Sequence, residues 1–189
     1  MIKGRTDLEL RRKLLHSLFG LMLISLLFYF GRKILIIFLI SLLLLGSIMI
    51  IQRLKGKRIP VAEWFEETFE RKNVKFPGYG AFWYVVGTLL LALSLGDANE
   101  IAAGILILAL GDSAATIFGI NSMHPLPYNG RKTVEGSLAF LIFSLPSCLF
   151  VGWIGLPLAI LAAIAESLPV PCDDNLLIPI AAALFFVIS

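Results

Sequence analysis

The sequence has few of the residues that organise metal centres and disulfide scaffolds. Its 189 residues include two cysteines and two histidines. The cysteines, Cys148 and Cys172, form no CxxC pair, which argues against zinc ligation and against a disulfide framework. No Walker phosphate loop and no GxGxxG, HExxH or EF-hand pattern occurs. If the protein handles a nucleotide, it does so without the loops of soluble kinases, and nothing in the sequence is typical of nucleic-acid binding.

Charge is scarce as well. Only 15% of the residues are charged, 58% are hydrophobic and the mean hydropathy is +0.90. Soluble domains contain about 45–50% apolar residues, whereas a bilayer-spanning helix needs about 20 apolar residues in a row. Seven segments approach or reach that length: Leu14–Phe30, Ile34–Ile51, Tyr79–Leu95, Ile101–Ile120, Gly136–Trp153, Leu156–Leu168 and Leu176–Ile188.

The last two segments are short for a full crossing, so we expect six to seven transmembrane helices. A helix pairs its own backbone groups in lipid, whereas an open sheet leaves them unpaired. The sequence therefore predicts an all-α, polytopic membrane helix bundle, with residues 1–189 forming a single integral membrane domain.

The distribution of cations predicts the orientation. With the N-terminus in the cytoplasm, only Arg32 and Lys33 of the 16 lysines and arginines fall on the outer side. We therefore expect a multi-pass protein of the plasma membrane whose N-terminus and basic loops are cytoplasmic. The loop at about 52–77 contains PVAEWFEETFER, in which Trp64, Phe65 and Phe69 cluster on one face. This pattern predicts a short interfacial helix, either a simple anchor or an element that admits a lipid substrate.

Asp112 lies deep in the apolar segment IAAGILILALGDSAATIFGI. An unpaired carboxylate in hydrocarbon costs a few kcal/mol even on lenient scales, so it must face a cation or a polar cavity, or be protonated. A stripe of small residues that includes Gly104, Gly111 and Gly119 predicts close approach of another helix. Asp112 could serve a helix–helix contact or ion pair, or a metal or substrate site.

More carboxylates lie at the predicted cytoplasmic face. Glu166 ends an apolar run, and Asp173, Asp174 and Asn175 lead into the last segment. Asp-Asp-Asn could simply cap that helix. Together with Asp112, these oxygen ligands also suit Mg²⁺, which usually keeps waters and substrate phosphates as further ligands.

The stretch RKTVEGS places two cations before a helix. Arg131 and Lys132 precede Thr133, which can cap the helix that carries Glu135. A helix N-terminus beside Arg and Lys is a phosphate-binding arrangement, and Gly136 allows close approach of backbone. The plainer interpretation is a basic loop that only sets the topology.

The N-terminal stretch ELRRKLLH repeats this theme. It places Arg12, Lys13 and His16 within two turns, with Glu9 one turn before Lys13. These residues could bind phosphate, or form a juxtamembrane patch for anionic lipid headgroups.

Taken in order, these motifs resemble the CTP-dependent lipid kinases, which phosphorylate dolichol and other polyprenols, phytol or diacylglycerol. The resemblance rests on ELRRKLLH, LGDSAATIFG, RKTVEGS, AES and DDNLLIP, and it covers nearly the whole chain. It implies CTP as the phosphoryl donor, dependence on Mg²⁺ and a membrane lipid alcohol as the acceptor.

We assign roles within this resemblance to the following residues. The predicted nucleotide- or substrate-binding residues are Arg12, Lys13, His16, Gly111, Ser113, Arg131, Lys132, Thr133, Gly136, Ser137 and Asn175. The predicted catalytic residues are Asp112, Lys132, Glu135 and Glu166, and the predicted Mg²⁺ ligands are Asp112, Asp173 and Asp174.

Two other functions stay open at this stage. Phosphatidate cytidylyltransferases, including CDP-archaeol synthases, are similar in part, but this chain lacks the KD pair and the glycine-histidine-glycine turn of the bacterial type. A small membrane transporter or lipid-binding protein could use Asp112 and Glu166 as ion or proton sites, although no internal repeat is visible. The small-residue stripe would serve packing within one chain or in a homo-oligomer.

Overall fold

The computed structural model describes residues 2–72 and 74–188, with the side chains of residues 2–5 left out. It is mostly helical, as the sequence predicts. The helices are α1 Ile2–Leu54, α2 Pro60–Phe69, α3 Tyr79–Ser94, α4 Ala98–Leu106, α5 Asp112–Gly119, α6 Val134–Ser144, α7 Cys148–Val151, α8 Gly155–Ser167 and α9 Asp174–Ile188. A π-helical turn, Ile107–Gly111, joins α4 to α5, and 3₁₀ turns at Leu145–Ser147 and Gly152–Ile154 flank α7.

Within the described residues, three helical stretches are long and apolar enough to cross a membrane: Thr6–Leu54, Ala98–Gly119 and Val134–Ser167. Tyr79–Ser94 and Asp174–Ile188 are shorter apolar helices. Large apolar side chains such as Leu18, Leu44 and Leu149 are exposed on the outside of the bundle. These features are compatible with a membrane protein.

Helix α1 bends back on itself at Gly31. This glycine has φ 82° and ψ 167°, which breaks the helical path in a region open to glycine but rarely to other residues. Near the start of α1, Glu9 pairs with Arg71, and near its end Arg53 pairs with Glu63 of α2. Both ends of α1 therefore contact one short segment, and its two legs correspond to the first two apolar segments of the sequence.

The stretch from α6 to α8 also folds back. Pro146 lies in the 3₁₀ turn Leu145–Ser147, and Gly152 has a positive φ of 61°, so the helix predicted to run on to Trp153 is interrupted. At the other end of this stretch, Lys132 just before α6 binds Glu166 near the end of α8. Helices α6 and α8 consequently lie side by side with the turn at the far end.

The continuous path of α4, the π turn and α5 forms the centre of the bundle. Residues 101–109 are all buried, and α1, α3, α6 and α9 pack around them. The predicted close approach at small residues is confirmed within the chain. A Cβ on Gly104 would lie 2.9 Å from Leu91, and one on Gly111 would lie 2.5 Å from the Ser144 hydroxyl. A Cβ on Gly136 would lie 2.9 Å from a backbone oxygen of α5.

A two-stranded antiparallel hairpin stands between α5 and α6. Strand β1, Pro125–Leu126, pairs with strand β2, Asn129–Thr133. The sequence predicts a loop in this region, because no alternating apolar pattern marks two such short strands. The hairpin brings Arg131 and Lys132 onto a strand immediately before α6.

Candidate functional site

The predicted intramembrane carboxylate has a buried cationic partner. Lys13 of α1 donates to Asp112 at the start of α5, and their side chains are 9% and 5% exposed. His16 Nε2 lies 3.4 Å from the same Asp112 oxygen. The structure thus joins the N-terminal motif to the Asp112 motif, which are separated by about one hundred residues. Asp112 is stabilised by an ion pair, one of the arrangements that its position requires.

Hydrogen bonds from α1 to carbonyl groups of the π turn before Asp112 hold α1 against the centre of the bundle. His16 Nε2 donates to the Leu108 carbonyl at 2.9 Å, and Ser17 donates to the Ala109 carbonyl at 3.0 Å. Ser113, a predicted site residue, donates to the same Ala109 carbonyl at 2.6 Å. A π-helical turn disrupts the regular backbone ladder, and such turns are frequent at functional sites. Sequence reasoning missed Ser17, and its place directly after His16 was the available signal.

A second charged group connects the hairpin to α8 and α9. Lys132 donates to Glu166 and, at 2.7 Å, to Asp174. Burial alone would lower the pKa of Lys132, but the two carboxylates raise it well above its ordinary value. Glu166 is only 2% exposed, and its Oε2 has no hydrogen-bond partner among the described residues. One lysine therefore forms ion pairs with two carboxylates.

Three residues outside the predicted site anchor the hairpin beside Lys132. Asn129 donates to the Ser167 carbonyl at 2.9 Å, and Tyr128 donates to the Ser167 hydroxyl at 2.9 Å. Asn129 also accepts a hydrogen bond from the backbone N–H of Arg131 at 3.2 Å. These bonds attach β2 to the end of α8. Nothing in the local sequence marks the two bonds to Ser167, because they join residues far apart in the chain.

The predicted phosphate ligand Arg12 lies in a third charged group. Its guanidinium donates to Glu9 at 2.6 Å. Arg71, which sequence reasoning missed, donates to both Glu9 oxygens at 2.6 and 2.9 Å. The hydrogen bond to Glu9 raises the pKa of Arg71. Glu9 is buried and holds both arginines at the same end of the bundle.

The helix start predicted at RKTVEGS is confirmed. Thr133 is the N-cap of α6 and accepts a hydrogen bond from the Gly136 N–H at 3.2 Å. Arg131 is exposed and forms no ion pair with any described residue. The Ser137 hydroxyl is buried without a partner among those same residues.

Glu135 lies apart from the two lysine-centred groups. Its carboxylate accepts hydrogen bonds from Ser122 and His124 in the segment between α5 and the hairpin. The Glu135 side chain is 40% exposed. The structure therefore places this predicted catalytic residue in a separate polar contact, not beside Asp112 or Lys132.

The motif before α9 has a capping role. Asp173 accepts the Asn175 N–H on its side chain at 3.0 Å, and its carbonyl accepts the N–H groups of Leu176 and Leu177. Burial raises the pKa of Asp173. Asn175 donates to the Gly80 carbonyl at 3.3 Å, and its Oδ1 has no partner among the described residues.

The predicted magnesium ligands are not gathered into a preformed cage. Within residues 2–72 and 74–188, no group of three or more His, Cys, Asp or Glu side chains could hold a metal ion. Asp112 is nevertheless close enough to Asp173 and Asp174 for electrostatic interaction. Oxygen donors and the unpartnered Glu166 Oε2 are chemically suited to Mg²⁺, which often takes one or two carboxylates together with substrate phosphates.

Comparison with known proteins yields one informative relationship. No protein-family model matches the chain, and no solved structure matches it. A protein of Methanocaldococcus jannaschii, named Uncharacterized protein MJ1137, is 33% identical over 178 residues. The match covers 93% of this chain and 91% of the archaeal protein. The chain therefore belongs to the same family as MJ1137.

Proposed function

We propose that this protein is a CTP-dependent lipid kinase that transfers the γ-phosphoryl group of CTP to a membrane lipid alcohol, either an isoprenoid alcohol or diacylglycerol. The observation that carries the proposal is the grouping of Lys13–Asp112 and Lys132–Glu166–Asp174 at one end of an apolar helix bundle. Phosphoryl transfer requires positioned cations for phosphate oxygens and carboxylates for a metal ion and a proton. The likeness of the sequence motifs to lipid kinases supplies the donor and acceptor.

The proposal includes a multi-pass arrangement in the plasma membrane with six to seven crossings. The bends at Gly31 and Gly152 divide two of the long helices into paired legs, which supports that number. Arg32 lies at the end of the bundle opposite the site, where it donates to the Ala92 carbonyl at 2.7 Å. The cation-rich end that carries the site would then face the cytoplasm.

The cations of the site would hold the nucleotide phosphates. Lys132 and Arg131 lie on the strand before α6, and Thr133 caps that helix. The N-terminus of α6 adds backbone N–H groups of the kind that bind phosphate. Lys13 and Arg12 approach from α1 and would complete the phosphate contacts.

Mg²⁺, when bound, would neutralise charge on the transferring phosphate. Asp112, Asp173 and Asp174 would hold it. Glu166 would accept the proton of the lipid hydroxyl, since one of its oxygens has no partner within the described chain. A bond forms between the lipid oxygen and the γ-phosphorus, the bond to the β,γ-bridging oxygen breaks, and CDP leaves.

A label-position assay tests the proposal. The full-length protein in detergent is mixed with Mg²⁺, a panel of lipid alcohols and lipid phosphates, and CTP labelled at either the α- or the γ-phosphorus. We expect γ-label, and no α-label, in the extracted lipid, and the responding alcohol identifies the acceptor. The Glu166→Gln variant should lose the transfer, whereas Glu67→Gln, an exposed acid on α2, serves as the matched control.

Two other results would overturn the proposal. α-Label in the lipid would mean cytidylyl transfer with release of pyrophosphate, as in a CDP-lipid synthase. Absence of both labels, with a folded protein, would point to transport or lipid binding.

A further inference from the structure

We infer that α2 and the cations at its two ends form a binding surface for an anionic lipid leaflet. Helix α2 has 10 residues and so spans about 15 Å. Val61 and Trp64, one turn apart, are 68% and 60% exposed. Exposed apolar and aromatic side chains at a helix surface are typical of helices that lie in the membrane interface. The inference rests on the membrane placement proposed above, but not on the kinase activity.

Exposed cations flank this apolar stripe on both sides. Three of them precede α2 and two follow it: Lys55, Lys57, Arg58, Lys72 and Lys75. None of the five forms an ion pair with any residue that the structure describes. Their positive charge is therefore available to an external anion.

The acidic residues of the same segment are mostly used inside the protein. Glu63 and Glu66 bind Arg53 at 2.8 and 2.9 Å. Glu70 accepts the backbone N–H groups of Gly78 and Tyr79, at 2.7 and 3.1 Å, at the start of α3. Only Glu67 of these acids is exposed and has no such bond within the described chain.

Because most of its carboxylates are paired within the protein, a segment that contains both acids and bases presents a mainly positive surface. Among the described residues of this segment, the outer surface carries five cations without an ion pair, of which Lys75 lies over the Tyr79 ring, against one carboxylate without a bond. Each Lys or Arg near an anionic membrane surface contributes attraction, which declines within a Debye length. Charge complementarity therefore selects anionic phospholipid headgroups as the partner.

The ion pairs of this segment also hold the lipid-binding surface in place. Arg53 ties α2 to the end of α1, and Arg71, just after α2, is tied to Glu9 near the start of α1. Ala62 is the buried residue of α2. Because α2 is held against both ends of α1, its exposed side keeps one orientation towards the leaflet.

Fluorescence of Trp64 tests the inference directly. The sequence has three tryptophans, so Trp83→Phe with Trp153→Phe leaves Trp64 as the single probe. The full chain is placed in nanodiscs of phosphatidylcholine alone or mixed with phosphatidylglycerol, and quenching by the neutral quencher acrylamide is measured. We expect the quenching constant to be about twofold lower or more in the anionic discs, with the difference removed by high salt.

Matched variants separate charge from the apolar stripe. Lys55→Gln with Lys57→Gln and Arg58→Gln should reduce the dependence on anionic lipid by about half or more, because only Lys72 and Lys75 of the five cations then remain. Lys55→Arg with Lys57→Arg and Arg58→Lys keeps every charge and should retain it. Thermal melting in detergent checks that both variants fold.

Equal quenching of the parent protein in the two kinds of disc would overturn the inference, because the apolar stripe alone would then position α2. An undiminished dependence in the glutamine variant would overturn it as well. A failure of the membrane placement would be recognised separately, since the chain would not enter the discs. A failure of the kinase proposal leaves these results unchanged, because no nucleotide is present.

Discussion

The two lysine-centred groups at the site end of the bundle differ in burial and in charge balance. Lys13 and Asp112 form a one-to-one pair with side chains 9% and 5% exposed. Lys132 is 23% exposed and serves both Glu166 and Asp174, which leaves an excess of negative charge. The first pair is deeply buried and balanced, so removing one partner leaves a buried charge uncompensated. The second group is more open, and its excess carboxylate favours a further cation or proton.

The largest effect on stability is expected from Asp112→Asn. This change leaves the Lys13 ammonium buried without its counter-ion, and breaking a buried pair in this way costs about 3–5 kcal/mol. Denaturation in detergent measures the loss. Adding Lys13→Met should restore most of the stability without restoring phosphoryl transfer. A single variant as stable as the parent would show that the pair does not hold the bundle together.

The next effect concerns the attachment of Lys132. Asn129→Ala removes the bond to the Ser167 carbonyl and leaves the Arg131 N–H without its acceptor. The Ser167 carbonyl is buried, and an unsatisfied buried group of this kind costs about 1–3 kcal/mol. We expect the KM for nucleotide to rise more than kcat falls, because β2 loses its position beside α8. An unchanged KM in a destabilised variant would restrict Asn129 to a structural role.

A smaller effect is expected at the start of α6. Thr133→Ala removes the side-chain acceptor for the Gly136 N–H and should cost about 1 kcal/mol. Thr133→Ser keeps that acceptor and is the matched control. Thermal melting of the two variants in the same detergent measures the difference, and equal melting temperatures would contradict the capping role.

The smallest effect on stability is expected from Glu166→Gln. Lys132 keeps Asp174 as a counter-ion, and the Glu166 Oε2 already has no partner in the described chain, so the cost should be about 1 kcal/mol or less. Activity should nevertheless fall by about 10²-fold or more if Glu166 accepts the proton. A large loss of stability would show that the Lys132 group holds the bundle together as the Lys13–Asp112 pair does. The proposed difference between the two groups would then be wrong.

Much of the fold could be predicted, because the hydrophobic content of a segment can be read directly from its own residues. Most of the apolar runs, the small-residue stripe at Gly104 and Gly111, and the short helix at Pro60 correspond to the structure. The hairpin at Pro125–Thr133 was not predicted, since two short strands leave no periodic signal. The break within Gly136–Trp153 was also missed, although Pro146 and Gly152 lie in that segment.

The candidate site was predictable in part for the same reason. Asp112 and Glu166 stand out because charge is costly in an apolar segment. Their partners could not be read from spacing, and Glu135 contacts Ser122 and His124 instead of joining the lysine groups. Asp173 caps α9, which was one of the two interpretations that the sequence left open.

By itself, the sequence determined the helical class, the compatibility with a membrane, the cap at Thr133 and the requirement that Asp112 find a partner. Each of these follows from the cost of placing a residue in its local surroundings. Only the tertiary structure decided that Lys13, 99 positions away, is that partner, that Arg71 binds Glu9, and that Asn129 attaches the hairpin to α8. Such pairs depend on how the helices pack. Packing brings together residues that are distant in the chain, and the local sequence around each residue does not indicate its partner.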